Sequence, residues 1–177
     1  MNNSTKKIKI GCLLPLTGPE SRHARAQMLA AQLALEEISP ELSLPGEVEL
    51  VIEDEAFDPQ TAADIARKLG QDEDVLAVIG PMNSKTSLAA GPVFHQAGLA
   101  HIATAASNPD LSRRGWQTFF RVVVNDIHQY SAAARYAVEI LQAGRIAVVF
   151  SAGGTFSIPM AEGFSGVAQE LGAEVQL

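Results

Sequence analysis

Continuous apolar runs alternate with stretches whose apolar positions recur every three or four residues, from one end of the chain to the other. Residues 8–14 are almost wholly apolar, the pattern of a parallel strand covered on both faces. Ala26, Leu29, Ala30, Leu33, Ala34 and Ile38 then predict an amphipathic helix over residues 22–38, buried through those positions. Pro40 and Pro45-Gly46 mark the return to a second strand at residues 48–52. Asp58-Pro59 provides a cap and a first position for a helix that Gly70 closes. A third strand spans residues 75–79, and a third helix residues 84–96, which Pro92 is expected to kink or interrupt.

Residues 99–103 form a fourth strand, followed by an irregular stretch to residue 117 and an apolar, β-branched run over 118–124. A helix over residues 126–142 comes next, with Ala133, Tyr136, Ala137, Ile140 and Leu141 as its buried face. A strand at 146–150, a helix at 159–171 and the start of a strand at 173–177 complete the pattern. This β-α repeat places the chain in the α/β class with a parallel sheet. The shift in composition near residues 104–120 divides it into a first α/β lobe, 1–120, and the beginning of a second, 121–177.

With 177 residues, 47% hydrophobic and 19% charged, the composition is that of a globular protein. A net charge of −7 argues against nucleic acid and anionic membrane surfaces as partners, because both select basic patches. The single cysteine, Cys12, excludes an internal disulfide. Lys9, Gly11 and Pro15 break the first apolar run, so no secretory signal is read in this chain. No stretch approaches the roughly 20 apolar residues of a membrane span.

Candidate chemistry is sparse. Glu53-Asp54-Glu55 with Asp58 reads as a solvated strand end and a helix cap rather than a cation or phospho-acceptor site. His23, His95, His101 and His128 lack ligand spacing and read as surface or satisfied histidines, so neither a metal nor a cofactor is expected. Gly153-Gly154-Thr155 and Gly163-Phe164-Ser165-Gly166 fit neither a phosphate loop nor a nucleophile elbow, and no nucleophile–base pair emerges. The chain reads as a binder, not an enzyme. The informative residues are polar ones directly after strands three and four: Ser84 near the start of a helix, and Ser107 with the Ala105-Ala106 backbone. Hydroxyls and free amides at the carboxyl ends of adjacent parallel strands suit a carboxylate.

These segments resemble the type I periplasmic binding proteins, specifically the branched-chain amino-acid (Leu/Ile/Val) binding family of ABC transporter components. The likeness runs from Ile8-Lys9-Ile10-Gly11 and Pro15-Leu16-Thr17-Gly18-Pro19 through Glu53-Asp54, Asp58-Pro59 and Val78-Ile79-Gly80 with Ser84. It continues in Ala105-Ala106-Ser107-Asn108-Pro109-Asp110-Leu111, Phe120-Arg121, Asp126, Gln129 and Ile146-Ala147-Val148-Val149. The resemblance implies a clamshell of two Rossmann-like lobes, the second incomplete here, closing on a small solute and delivering it to an ABC permease. It implies ligand contacts from Ser84, Ala105, Ala106 and Ser107, with His23 where an aromatic often packs and Phe156 in place of a second-lobe tyrosine. The imidazole favours a polar or aromatic acid, or an amide. Phe57 and Asn83 stand where some members carry paired cysteines, and the acidic residue for a ligand amine is expected beyond Leu177.

The full native form is then expected in the periplasm or outside the cell, lipid-anchored or secreted. A cytoplasmic small-molecule-sensing domain of a regulator is the alternative on the same fold. Uncovered sheet edges predict pairing with another copy.

Overall fold

The computed structural model describes residues 7–38, 47–152 and 156–177. Gly153-Gly154-Thr155 therefore lies outside the described residues. The chain divides into two compact units, Met1–Val123 and Val124–Leu177.

In the first unit, β1 (Ile8–Leu14), β2 (Val48–Asp54), β3 (Val75–Ile79), β4 (Ala100–Ala103) and β5 (Phe119–Arg121) form one parallel sheet in the order β2-β1-β3-β4-β5. The chain steps outward from β1 to β2, then crosses back to β3 on the other side of β1. That reversal is a topological switch point, and the crevice beyond the carboxyl ends of β1 and β3 is where such sheets take ligands.

Both faces of the sheet are covered, which is why its strands read as unbroken apolar runs. On one face Leu13, Val75 and Val78 pack with Ala62, Ala66 and Leu69 of α2 (Pro59–Gly70) and with Ala90 and Phe94 of α3 (Ser84–Gln96). On the other, Cys12 and Leu14 pack with Ala24, Met28 and Ala31 of α1 (Ser21–Ile38). Here the expected helix face is corrected. Leu29, Leu33 and Ile38 are exposed, and the stripe against the sheet is Ala24-Met28-Ala31, because alanine-rich α1 is apolar on more than one side.

The cap expected at Asp58 is present, and the structure adds one at Asn83. Asp58 accepts the Thr61 amide at 2.7 Å and caps α2, with Pro59 at its first turn. Asn83 caps α3 by accepting the Thr86 amide at 3.0 Å. Pro92 does not interrupt α3, which runs through it. Gly91 beside it lies against the Trp116 ring, where an added Cβ would approach Cζ3 to 2.3 Å. Gly91→Ala is therefore expected to cost about 1–3 kcal/mol in urea denaturation through overpacking; an undiminished midpoint would show that the indole yields freely. The irregular stretch contains a short helix, α4 (Asp110–Arg113), seated by the fully buried Leu111.

The second unit holds α5 (Asp126–Arg135), continued by a π-helical turn over Tyr136–Ile140, then β6 (Arg145–Ala147), α6 (Ser157–Glu170) and β7 (Glu174–Gln176). β6 and β7 pair in parallel. Ala134 and Val138, with Ala168 and Ala173, make its core. The predicted face is again corrected: Ala133, Tyr136, Ile140 and Leu141 are exposed in this unit. The stripe runs instead through Ala134 and Val138, one residue on from the predicted Ala133 and Ala137. No described helix is long and apolar enough to cross a membrane.

Candidate functional site

The turn after β3 brings the first unit's polar rim together. Gly80 leaves the strand with φ at 93° and its amide donates to the Ile102 carbonyl at 2.9 Å, tying the end of β3 to β4. The Gly80–Pro81 peptide is cis. The buried Ser87 hydroxyl donates to the Pro81 carbonyl at 3.2 Å, holding the turn against the first turn of α3. Asn83 caps, and Ser84 opens the helix, half-buried.

Across from it, the loop after β4 runs Thr104 to Pro109. The Asn108 amide donates to Ser84 Oγ at 3.1 Å. Ser84 and Ser107 are thereby set on adjoining backbone, one residue from a direct link between the two rims. With its oxygen accepting from Asn108, the Ser84 hydroxyl retains its proton for an acceptor such as a carboxylate. Ala105 is exposed; Ser107 is 7% exposed; Ala106 is fully buried among Ala103 and Leu111, so its side chain belongs to the core.

Two supports were invisible in the sequence. Arg121, at the end of β5, donates to the Ala106 carbonyl at 3.3 Å and to the Asn108 carbonyl at 3.1 Å, and lies over the Phe119 ring. It fixes the loop and sets a cation beneath it. Thr104 donates to Gln27 Oε1 at 2.7 Å, joining the same loop to α1.

His23 lies on the first turn of α1, one turn before Gln27, exposed and paired with Glu20 at 3.2 Å. Phe156 belongs to the second unit. It immediately precedes α6, half exposed, and lines an apolar groove of about 280 Å³ with Tyr130, Phe150, Met160 and Phe164.

Two expectations about polar residues are overturned. Glu55 is not a solvated strand end: it is fully buried, held by Thr86 and Asn83. Asp54, next to it, is half-buried, and burial tends to push its carboxyl up. The Thr17 hydroxyl and the amides of Ala56, Leu16 and Thr17 outweigh that and hold it below the usual range. His101 is neither at the surface nor satisfied. It is 1% exposed between Phe94 and Phe119, with neither ring nitrogen hydrogen-bonded, and burial pulls it down to about 4. It is neutral at physiological pH and acts as an aromatic core residue. Among the described residues no group of three or more His, Cys, Asp or Glu is arranged to hold a metal.

A parallel sheet whose strand order reverses between β1 and β3, with a polar rim beside that point, is a doubly wound α/β lobe. Residues 7–176 match the family model described as periplasmic binding protein, and the chain belongs to that family. It is similar to an amino acid binding protein of Pseudomonas aeruginosa, 30% identical over 143 residues covering 80% of this chain and 38% of the relative. A Leu/Ile/Val-binding protein of Rhizobium johnstonii is 31% identical over 143 residues, covering 80% and 39%. Among solved structures, a leucine binding protein from Thermotoga maritima superposes with a TM-score of 0.82 at 32% identity, covering 96% of this chain and 47% of that one. The chain thus spans about two fifths of the length of these curated relatives.

Proposed function

We propose that the chain supplies the ligand-anchoring lobe of a solute-binding component for an ABC-type uptake system, taking amino acids or related small carboxylates or amides. The observation that carries this reading is the Asn108–Ser84 hydrogen bond, which joins the polar rims after β3 and β4 beside the switch point of the sheet. Relatives named for amino acids support the ligand class. Capture involves no bond chemistry. The Ser84 hydroxyl and the backbone at Ala105 and Ser107 hold a carboxylate near the start of α3, where the helix dipole favours an anion. His23, from α1, and Phe156, from the second lobe, contact the rest of the solute. In the whole protein, contacts made only in the closed state draw the lobes together about a hinge and exclude water. An ABC permease receives the solute, and a periplasmic or extracellular location goes with the same reading.

Calorimetric titration against a panel of amino acids and simple carboxylates tests this. Ser84→Ala is expected to weaken binding roughly 10- to 100-fold, the worth of a hydrogen bond to a charged group. Flat titrations across every carboxylate, or an affinity untouched by Ser84→Ala, would remove the reading.

A further inference from the structure

Glu55 comes directly after β2 and is fully enclosed. Its Oε1 accepts from the Thr86 hydroxyl at 3.1 Å and from the Asn83 side-chain amide at 3.3 Å. Those two residues bracket Ser84 on the first turn of α3. Oε2 has no hydrogen-bond partner. A carboxylic acid therefore sits behind the rim argued above to take an anion, with one oxygen gripping that rim and the other open. A carboxylate docked at Ser84 and an ionised Glu55, bonded to Asn83 and Thr86 on the same turn, repel each other, and the one able to bind a proton relieves the conflict.

We propose that Glu55 is a proton-linked positioning residue of the anion rim: it holds the first turn of α3, and a carboxylate docking at Ser84 drives it to take up a proton. The inference rests on the carboxylate-binding function proposed above. Burial pushes the Glu55 carboxyl up to about 7; the Thr86 hydroxyl opposes the rise, and Asp54 and Asp58 add to it. It is thus poised where a neighbouring charge changes its state. The charged groups facing it are Asp54 and Asp58 of its own segment, both held below the usual carboxylate range and so constant in charge near neutrality. Lys85 of α3 acts on Asp58. Asn83 and Thr86 of α3, and Leu14 of β1, whose carbonyl accepts the Glu55 amide, carry no charge.

Linkage makes the effect reciprocal. If the docked anion raises Glu55 by one pKa unit, affinity falls about tenfold as pH rises through its titration.

The experiment tracks the Glu55 side-chain carboxyl by NMR in the full chain, correlated to its own backbone amide, alone and with L-leucine, L-phenylalanine or benzoate. The amides of Ser84 and Ser107 report docking independently. The expected result is a Glu55 midpoint near neutrality that moves upward when a probe docks. Probe affinity should be about fivefold weaker at about pH 8 than at about pH 5.5, a dependence that Glu55→Gln loses. Docking without movement of the Glu55 midpoint, or the same pH dependence in Glu55→Gln, overturns the linkage and leaves the carboxylate-binding reading standing. No shift of the Ser84 and Ser107 amides with any probe sinks that reading, and the linkage with it.

Discussion

Gly80→Ala is expected to destabilise the first unit by more than about 3 kcal/mol, or to prevent folding altogether. Its φ of 93° lies in the region that L side chains rarely adopt, and a Cβ there would sit 2.0 Å from the Leu13 carbonyl oxygen. Leu13 belongs to β1, paired on both sides, so no rotamer change relieves the clash. The Gly80 amide is also bonded to Ile102, so the turn cannot retreat without breaking the link to β4. Gly98 supplies the control. Its φ is 70°, yet nothing lies within 4 Å of an added Cβ, so Gly98→Ala carries only backbone strain, about 1 kcal/mol. Urea denaturation of the pair measures the difference, and equal costs would refute the close approach at Gly80.

Glu55 gives the second large effect, on stability in the absence of any ligand. Its folded-state value near 7 lies above the ordinary glutamate value of 4.5, so the folded chain binds this proton more tightly than the unfolded chain does. Stability from this group is therefore full below about pH 4.5 and is lost as pH rises through about 7, to a total of about 3 kcal/mol. Glu55→Gln, which cannot ionise, should flatten that slope and be more stable than the parent at pH 8. Denaturation midpoints across this range decide the matter. A slope that persists in the variant would assign the pH dependence to another group.

How far the sequence reached depends on the range of the interactions involved. Asp58 was legible as a cap because the acceptor and the amide it binds lie three residues apart. The parallel sheet was legible because burial on both faces leaves the inner strand β1 apolar at Cys12, Leu13 and Leu14, all fully buried. That the segments after β3 and β4 lie side by side was legible only as far as consecutive strands tend to be neighbours, which holds for β3 and β4 but not for β2 and β3. Helix faces were less legible. Alanine at many positions of α1 offers the sheet several acceptable stripes, and the choice of Ala24-Met28-Ala31 depends on what β1 and β2 present. Glu55 was unreadable because its partners come from α3, thirty residues on, and a glutamate at a strand end ordinarily faces water. His101 was misread for the same reason, since the rings of Phe94 and Phe119 that enclose it belong to other elements. Arg121 supports the rim through carbonyls rather than through any motif, so no residue pattern announced it.

A crystal structure of this chain with a bound solute from the amino-acid and carboxylate panel is the most direct check on the rim. The carboxylate should accept from the Ser84 hydroxyl and from backbone amides of the 105–107 segment, with the Asn108–Ser84 bond retained behind it. A carboxylate lodged elsewhere, with Ser84 bonded to Asn108 alone and Ser107 still enclosed, would contradict the assignment.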